Sequence, residues 1–397
     1  MIRTAPASDA TPPDALTRLT LLLLASLTIM AGATIAPALP AMQAHFADQP
    51  NAALLVKLAL TIVGLAIAIS APISGILADR FGRRPVLIGA LLLYALGGTS
   101  GLFISSLGEL LTGRIILGLA VAGVMTASGA LINDLFSGPA RGKFLSQQAA
   151  FNNFGGAVLL PLSGFLAGMG WRGPFALYFV ALLILPLVFR LPRGVTAAAS
   201  STGPEGKPAW AAIALIYVLA LSYMIIFYLV PAQGPFLLRF LGAAPAATGL
   251  LLGVFTLMSA LTSLTYSRFA GRFDPRKVVA LGFGLLAGGE IIVSQAASIG
   301  GVIPGLMLAG GGGLVIPNLN AWLADITPAR WRGRIVAGMS SSIFLGQFLS
   351  PLILAAPADQ PAQGFVWGAG TAAVVGAALL AFSFIRPKPR LLSPKAV

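Results

Sequence analysis

Gly75-Ile76-Leu77-Ala78-Asp79-Arg80-Phe81-Gly82-Arg83-Arg84-Pro85 packs one acid and three arginines into six positions, with an apolar run on either side. Upstream, residues 52–78 carry almost no charge; downstream, residues 85–106 carry none. A bilayer core needs roughly 20 mostly apolar residues to be crossed as a helix. A charged turn between two such runs is a short loop at a membrane surface. Gly75 lets its helix approach a neighbour closely, since small residues drive helix packing in lipid. Gly82 permits a tight turn, and Pro85 suits the first turn of the next helix. Asp79 is suited to facing the positive N-terminal end of a helix that starts on the same side.

Working outward, the pattern repeats along the chain. Apolar runs of span length lie at 17–39, 52–78, 85–106, 108–131, 144–168 and 174–191, then at 210–231, 245–266, 277–297, 300–323, 335–355 and 364–386. Hydrophobic residues make up 57% of the 397 positions and charged residues 9%, against about 25% charged in an ordinary soluble domain. Lipid is the solvent such a composition requires. The formal net charge of +14 would suit a phosphate-rich partner. Its clustering in loops between apolar runs instead fits membrane topology and argues against nucleic acid. With no cysteine, thiolate chemistry and disulfides are excluded, and the lone His45 cannot by itself build a histidine metal site or a Ser-His-Asp triad. No enzyme activity, cofactor or metal is expected.

The expected layout is a tail over 1–16, a six-helix bundle over 17–192, a small polar linker over 193–209, a second bundle over 210–387 and a tail over 388–397. Lys and Arg concentrate in alternate loops and the linker, so both termini are expected in the cytoplasm, in the cell's inner (plasma) membrane. The two halves repeat each other. Asp134 and Arg141-Gly142-Lys143 recur as Asp325 and Arg332-Gly333-Arg334, an offset of 191. Gly156 and Pro161 recur as Gly346 and Pro351 at 190, and Arg80-Phe81 and Arg84 as Arg272-Phe273 and Arg276 at 192. Internal repetition at one offset marks a duplicated architecture. Nothing in it requires a second copy, and a monomer is expected.

The string from Gly75 to Arg84 resembles the signature loop of the major facilitator superfamily, G-x-L-x-D-R-x-G-R-R, and DRFGRRPVL resembles the twelve-span drug–proton antiporters of that superfamily. The resemblance covers essentially the whole chain. It implies an all-α integral membrane fold of two pseudo-symmetric six-helix bundles, each a pair of inverted repeats around a midplane site. It implies a transporter working by alternating access, with proton-coupled export of a drug, siderophore or metabolite as the leading expectation. Import or facilitated passage of a sugar or organic anion is the other. The resemblance also implies a cytoplasmic gate. In it Asp79, with Arg80, Arg83 and Arg84, meets the start of span eleven beside Arg332 and Arg334, while Asp134, Arg141 and Asp325 complete the charge network.

Arg114 stands inside span four, in Arg114-Ile-Ile-Leu-Gly118, where the superfamily has R-x-x-x-G and associates the arginine with proton transfer. An intramembrane arginine costs about 2.5–3.5 kcal/mol on insertion scales and must face a cavity or a partner. It stays charged. It therefore tunes a nearby acid, binds an anionic substrate group, or is satisfied by backbone carbonyls. Glu109 lies five residues earlier, near the outer interface. Glu290 lies deeper, in span nine, either paired or neutral, and is a third proton-coupling candidate. Lys57, early in span two, either snorkels to the interface or meets an anionic substrate. Span five resembles the antiporter pattern G-x-x-x-G-P-x-x-G-G, but Leu160 and Ser163 stand where two glycines belong. Helix position alone nominates Gln148, Asn152, Tyr223, Phe227, Asn318 and Trp322 as pocket residues, a mixed apolar and hydrogen-bonding set.

Overall fold

The computed structural model describes residues 13–136, 138–192, 207–269, 272–357 and 359–385. Most of the expected N-terminal tail over 1–16, most of the linker over 193–209 and all of the tail over 388–397 lie outside them.

The described chain is helical throughout its apolar runs. In chain order the segments are α1 (Ala15–His45), α2 (Ala52–Phe81), α3 (Arg83–Leu102), α4 (Leu107–Leu135), α5 (Gly138–Met169) and α6 (Gly173–Val188). They continue as α7 (Trp210–Phe240), α8 (Pro245–Phe269), α9 (Pro275–Ser294), α10 (Ile299–Ile326), α11 (Arg332–Leu354) and α12 (Gln363–Ile385). Ten of them are long and apolar enough to cross a bilayer by themselves, so the protein is a multi-pass membrane protein. Residues 144–168 and 174–191, expected as spans five and six, carry shorter apolar stretches, Gly155–Met169 and Gly173–Val188. The cause is local. The first half of α5 is polar, with Gln147, Gln148, Asn152 and Asn153, and α6 opens as a 3-10 turn over Gly173–Phe179.

Large apolar side chains cover much of the outside: Ile69, Ile73, Ile76, Leu96, Phe103 and Val374 are all exposed. In water such a surface would aggregate, whereas acyl chains match it. Termini of the helices follow ordinary capping chemistry. The Asp14 side chain accepts from Thr17 N at 3.0 Å and starts α1, and Ser106 with Glu109 forms a capping box on α4.

Two segments at matching places in the halves are broken. In α1 the helix Ala15–Ala33 stops, a 3-10 turn runs over Ala36–Ala38, and a second helix Leu39–His45 follows. Pro37 and Pro40 lack the N–H that would continue the ladder. In α7 the helix Trp210–Phe227 meets Leu229–Phe240 at Tyr228, three residues before Pro231. Continuations past these breaks carry both segments beyond the expected ends at 39 and 231. A third break, at Gly311–Leu314, interrupts α10.

The halves meet where small residues allow. A Cβ on Gly164 of α5 would lie 2.6 Å from Pro245 O and 2.8 Å from Gly249 Cα of α8, so backbone rests on backbone. A Cβ on Gly64 of α2 would lie 2.7 Å from Phe344 O of α11. Close approach of this kind is how helices gain contact in lipid, where burial alone gives no drive.

Candidate functional site

Carbonyls along α1, most of them at its break, accept hydrogen bonds from side chains of other helices. Ala38 N donates to Ile35 O at 3.0 Å, which leaves Thr34 O free for the Ser163 hydroxyl of α5. Tyr94 of α3 donates to Leu27 O at 2.8 Å, Arg114 of α4 donates through Nη2 to Ala31 O at 2.6 Å, and Tyr228 of α7 donates to Gly32 O at 2.5 Å. Side chains from four helices thus converge on one broken segment. Irregular backbone at membrane depth is tolerated only where protein or a cavity satisfies it.

Arg114 is fully buried. Besides Ala31 O, it donates through Nε to Ala59 O at 2.9 Å and through Nη1 to the Tyr178 hydroxyl at 2.7 Å. No acid pairs with it among the described residues. Of the three roles the sequence leaves open, the contacts seen here are those of a tie between α1, α2 and α6.

A cavity of about 560 Å³ opens beside this knot, between α1, α2 and α5 of the first half and α7, α8, α10 and α11 of the second. Gly32 and Tyr228 form part of its wall, as do Asn152, Asn320 and Gln347. An aromatic run crosses it: Tyr223 to Phe227 at 5.2 Å between ring centroids, then Phe227 to Phe255 at 4.6 Å. The Asn152 Oδ1 is buried without a hydrogen-bond partner. No Asp, Glu, Lys or Arg is among the described lining residues.

Of the pocket residues nominated by helix position, Asn152, Tyr223 and Phe227 line the cavity. Gln148, Asn318, Trp322, Lys57 and Arg114 are not among its lining residues. Asn318 instead donates to Pro275 O at 2.7 Å and holds α10 to the start of α9. Trp322 is buried with its indole N–H unpartnered, and Gln148 is half-buried. Lys57 donates to Ala356 O at 3.2 Å, across the halves, with its ammonium 5.1 Å from the centre of the Phe236 ring. Phe255 and Gln347 were not found from the sequence. Tyr94, Tyr178 and Ser163 were missed as partners of the knot, although a tyrosine deep in an apolar run always needs somewhere to put its hydroxyl.

The acids divide sharply. Glu109 is exposed and accepts from Ser106 N at 3.4 Å in its capping box and from Ser105 N at 2.9 Å beside it. Glu290 of α9 is completely buried, and neither carboxylate oxygen has a hydrogen-bond partner among the described residues. Its niche exists because Gly368 of α12 has no side chain; a Cβ there would run into Glu290 Oε2.

At the end carrying the basic loops, Arg83 stands between Asp79 (3.4 Å) and Asp134 (3.2 Å). The second contact is an ion pair without hydrogen-bond alignment, since Arg83 Nε and Asp134 Oδ2 lack hydrogen-bond partners. Asp79 itself is 77% exposed. Its expected contact with the start of α11 is therefore not formed here, and the space around Gly75, expected to be a close helix contact, is open. Gly82 does adopt the left-handed φ of +91° that the tight turn requires. Arg80, Arg141, Asp325, Arg332 and Arg334 are exposed, and Arg84 lies 5.6 Å from the Phe189 ring centre.

The family model for the Major Facilitator Superfamily matches residues 21–232 and 215–397. Among known relatives, the chain is 28% identical over 370 residues to the class C tetracycline resistance protein of Escherichia coli, covering 87% of this chain and 89% of that one. It is 24% identical over 391 residues to the class H protein of Pasteurella multocida, covering 91% and 94%. Among solved structures, a D-xylose–proton symporter superposes with a TM-score of 0.76 at 18% identity, over 94% of this chain and 98% of that one. Broken helices, a cavity between the halves, and matches along the whole length lead to one conclusion: the chain belongs to the major facilitator superfamily, as a secondary active transporter of a small molecule.

Proposed function

We propose that the protein exports a small amphipathic compound in exchange for protons, through the cavity between its halves. The observation that carries this reading is the composition of that cavity: mostly apolar and aromatic, with a few amides and hydroxyls. Such a wall favours flat, partly apolar molecules over sugars, which need a dense set of hydrogen-bonding groups. Tetracycline resistance proteins are the full-length relatives that support export. Glu290 is the proton carrier in this scheme, because it alone of the three candidates is both buried and able to titrate; Arg114 is tied and permanently charged, and Glu109 serves a cap. The arrangement is two six-helix bundles, 17–192 and 210–387, joined by the 193–209 linker, with α5 and α6 as the two shorter spans. A monomer in the plasma membrane with cytoplasmic termini completes the proposal. In it, the pairing of Asp79 with the start of α11 belongs to the opposite, outward-open state.

A second reading, import or facilitated passage of a sugar or organic anion, draws on the solved neighbours. A D-xylose–proton symporter and the human organic anion transporter MFSD10 both share this fold along more than nine-tenths of the chain. The readings separate in proteoliposomes carrying an internal pH dye and an imposed pH difference, with tetracycline and D-xylose added in turn. Proton flux opposite in direction to tetracycline supports export by antiport. Proton flux in the direction of xylose, or xylose entry without proton flux, sinks it and supports the second reading.

A further inference from the structure

We infer that the molecule this cavity accepts enters it without net charge and donates a hydrogen bond to Asn152. The inference rests on the cavity being the substrate site and adds the charge class of what fills it.

An ion moved from water into an enclosed apolar space loses solvation that only a contacting counter-charge or several aimed dipoles restore. The described wall offers neither an acid for a cation nor a free base for an anion. The nearest candidates for an anion are already committed. Arg114 spends Nε, Nη1 and Nη2 on Ala59 O, the Tyr178 hydroxyl and Ala31 O. Lys57 spends its ammonium on Ala356 O and the Phe236 ring. Both charges are buried and neither is paired with an acid among the described residues, so the long-range field they set up disfavours a cation more than an anion. The order is therefore neutral first, anion second, cation last.

What the wall does offer is specific. Asn152 lines the cavity, and its Oδ1 has no hydrogen-bond partner among the described residues, so a rotation of the amide offers this acceptor to a donor in the cavity. Phe227, whose ring lies tilted against those of Tyr223 and Phe255, presents an aromatic surface on the same cavity. A net-neutral aromatic compound with a hydroxyl or amide N–H satisfies both. A weak acid or base then enters only as its uncharged form.

The test is equilibrium binding to the purified full-length protein in detergent, using radiolabelled chloramphenicol, salicylate and tetraphenylphosphonium as neutral, anionic and cationic probes of aromatic character. The expected result is that chloramphenicol binds about tenfold more tightly than either ion, that Asn152→Leu weakens it about fivefold, and that Asn152→Asp makes tetraphenylphosphonium the preferred probe. Preference for an ion by the unmodified protein, with sensitivity to Asn152 and to Phe227→Ala, overturns the charge assignment and keeps the cavity as the site. Binding that neither substitution moves, or no binding of any probe, overturns the site as well, and with it the reading of function on which the inference rests.

Discussion

Arg114 and Glu290 are both completely buried in a chain that is 9% charged, yet their surroundings are opposite. Arg114 has three acceptors, two of them backbone carbonyls of neighbouring helices. Glu290 has none, and sits against a glycine. An arginine cannot lose its charge, so the fold must satisfy it wherever it is placed, and the satisfied group becomes a structural joint. A carboxyl has the other option of taking a proton. The first half of the molecule has thus used its buried charge to fasten helices. The second holds one whose carboxylate has no such partners among the described residues.

The largest expected effect comes from undoing the joint. Arg114→Leu removes the charged donors that reach Ala31 O, Ala59 O and the Tyr178 hydroxyl, hydrogen bonds worth about 1.5–3 kcal/mol each to a charged group. Thermal unfolding in detergent should show a large drop in midpoint, with Arg114→Lys recovering only part of it because one ammonium cannot reach three directions. If Arg114→Leu unfolds normally but no longer couples to protons, the contrast drawn here is reversed. Glu290→Gln should do the opposite: retain or raise the unfolding midpoint, while uptake driven by a pH difference falls more than about tenfold and substrate exchange continues. Equal loss of both transport modes would mean that Glu290 is structural too.

Crowding the niche sharpens the same point. Gly368→Ala puts a methyl where Glu290 Oε2 lies, so the carboxyl must move or α12 must shift, at about 1–3 kcal/mol. The double variant Gly368→Ala with Glu290→Ala should regain most of that stability, and failure to do so would place the clash elsewhere. The smallest effect is expected from Tyr228→Phe, which removes one hydrogen bond between the halves, about 0.5–1.5 kcal/mol. Because the chain has no native cysteine, a single cysteine placed in the cavity reports opening directly, and its labelling from the side opposite the basic loops should rise severalfold.

Much of this was legible before any coordinates. Charged loops between apolar runs mark the helices, because both are written in local sequence. Gly82 announced its turn for the same reason. Side-chain direction is not local, and there the reading thinned: Asn152 and Asn318 look alike as amides in spans, yet one lines the cavity and the other fastens α10 to α9. The knot on α1 was invisible because its acceptors are backbone carbonyls, which every residue carries. The open space at Gly75 and the exposure of Asp79 depend on how distant helices pack, which a short motif does not encode.

Where α5 and α8 face each other, Gly164 and Gly249 bring two bare backbones together. Interlocked side chains act as teeth, and turning one gear against another then requires every tooth to disengage. Here there are none to disengage. The two halves share a smooth bearing at this point, and rocking about it leaves friction to be set by the lipid and the end contacts rather than by the seam itself.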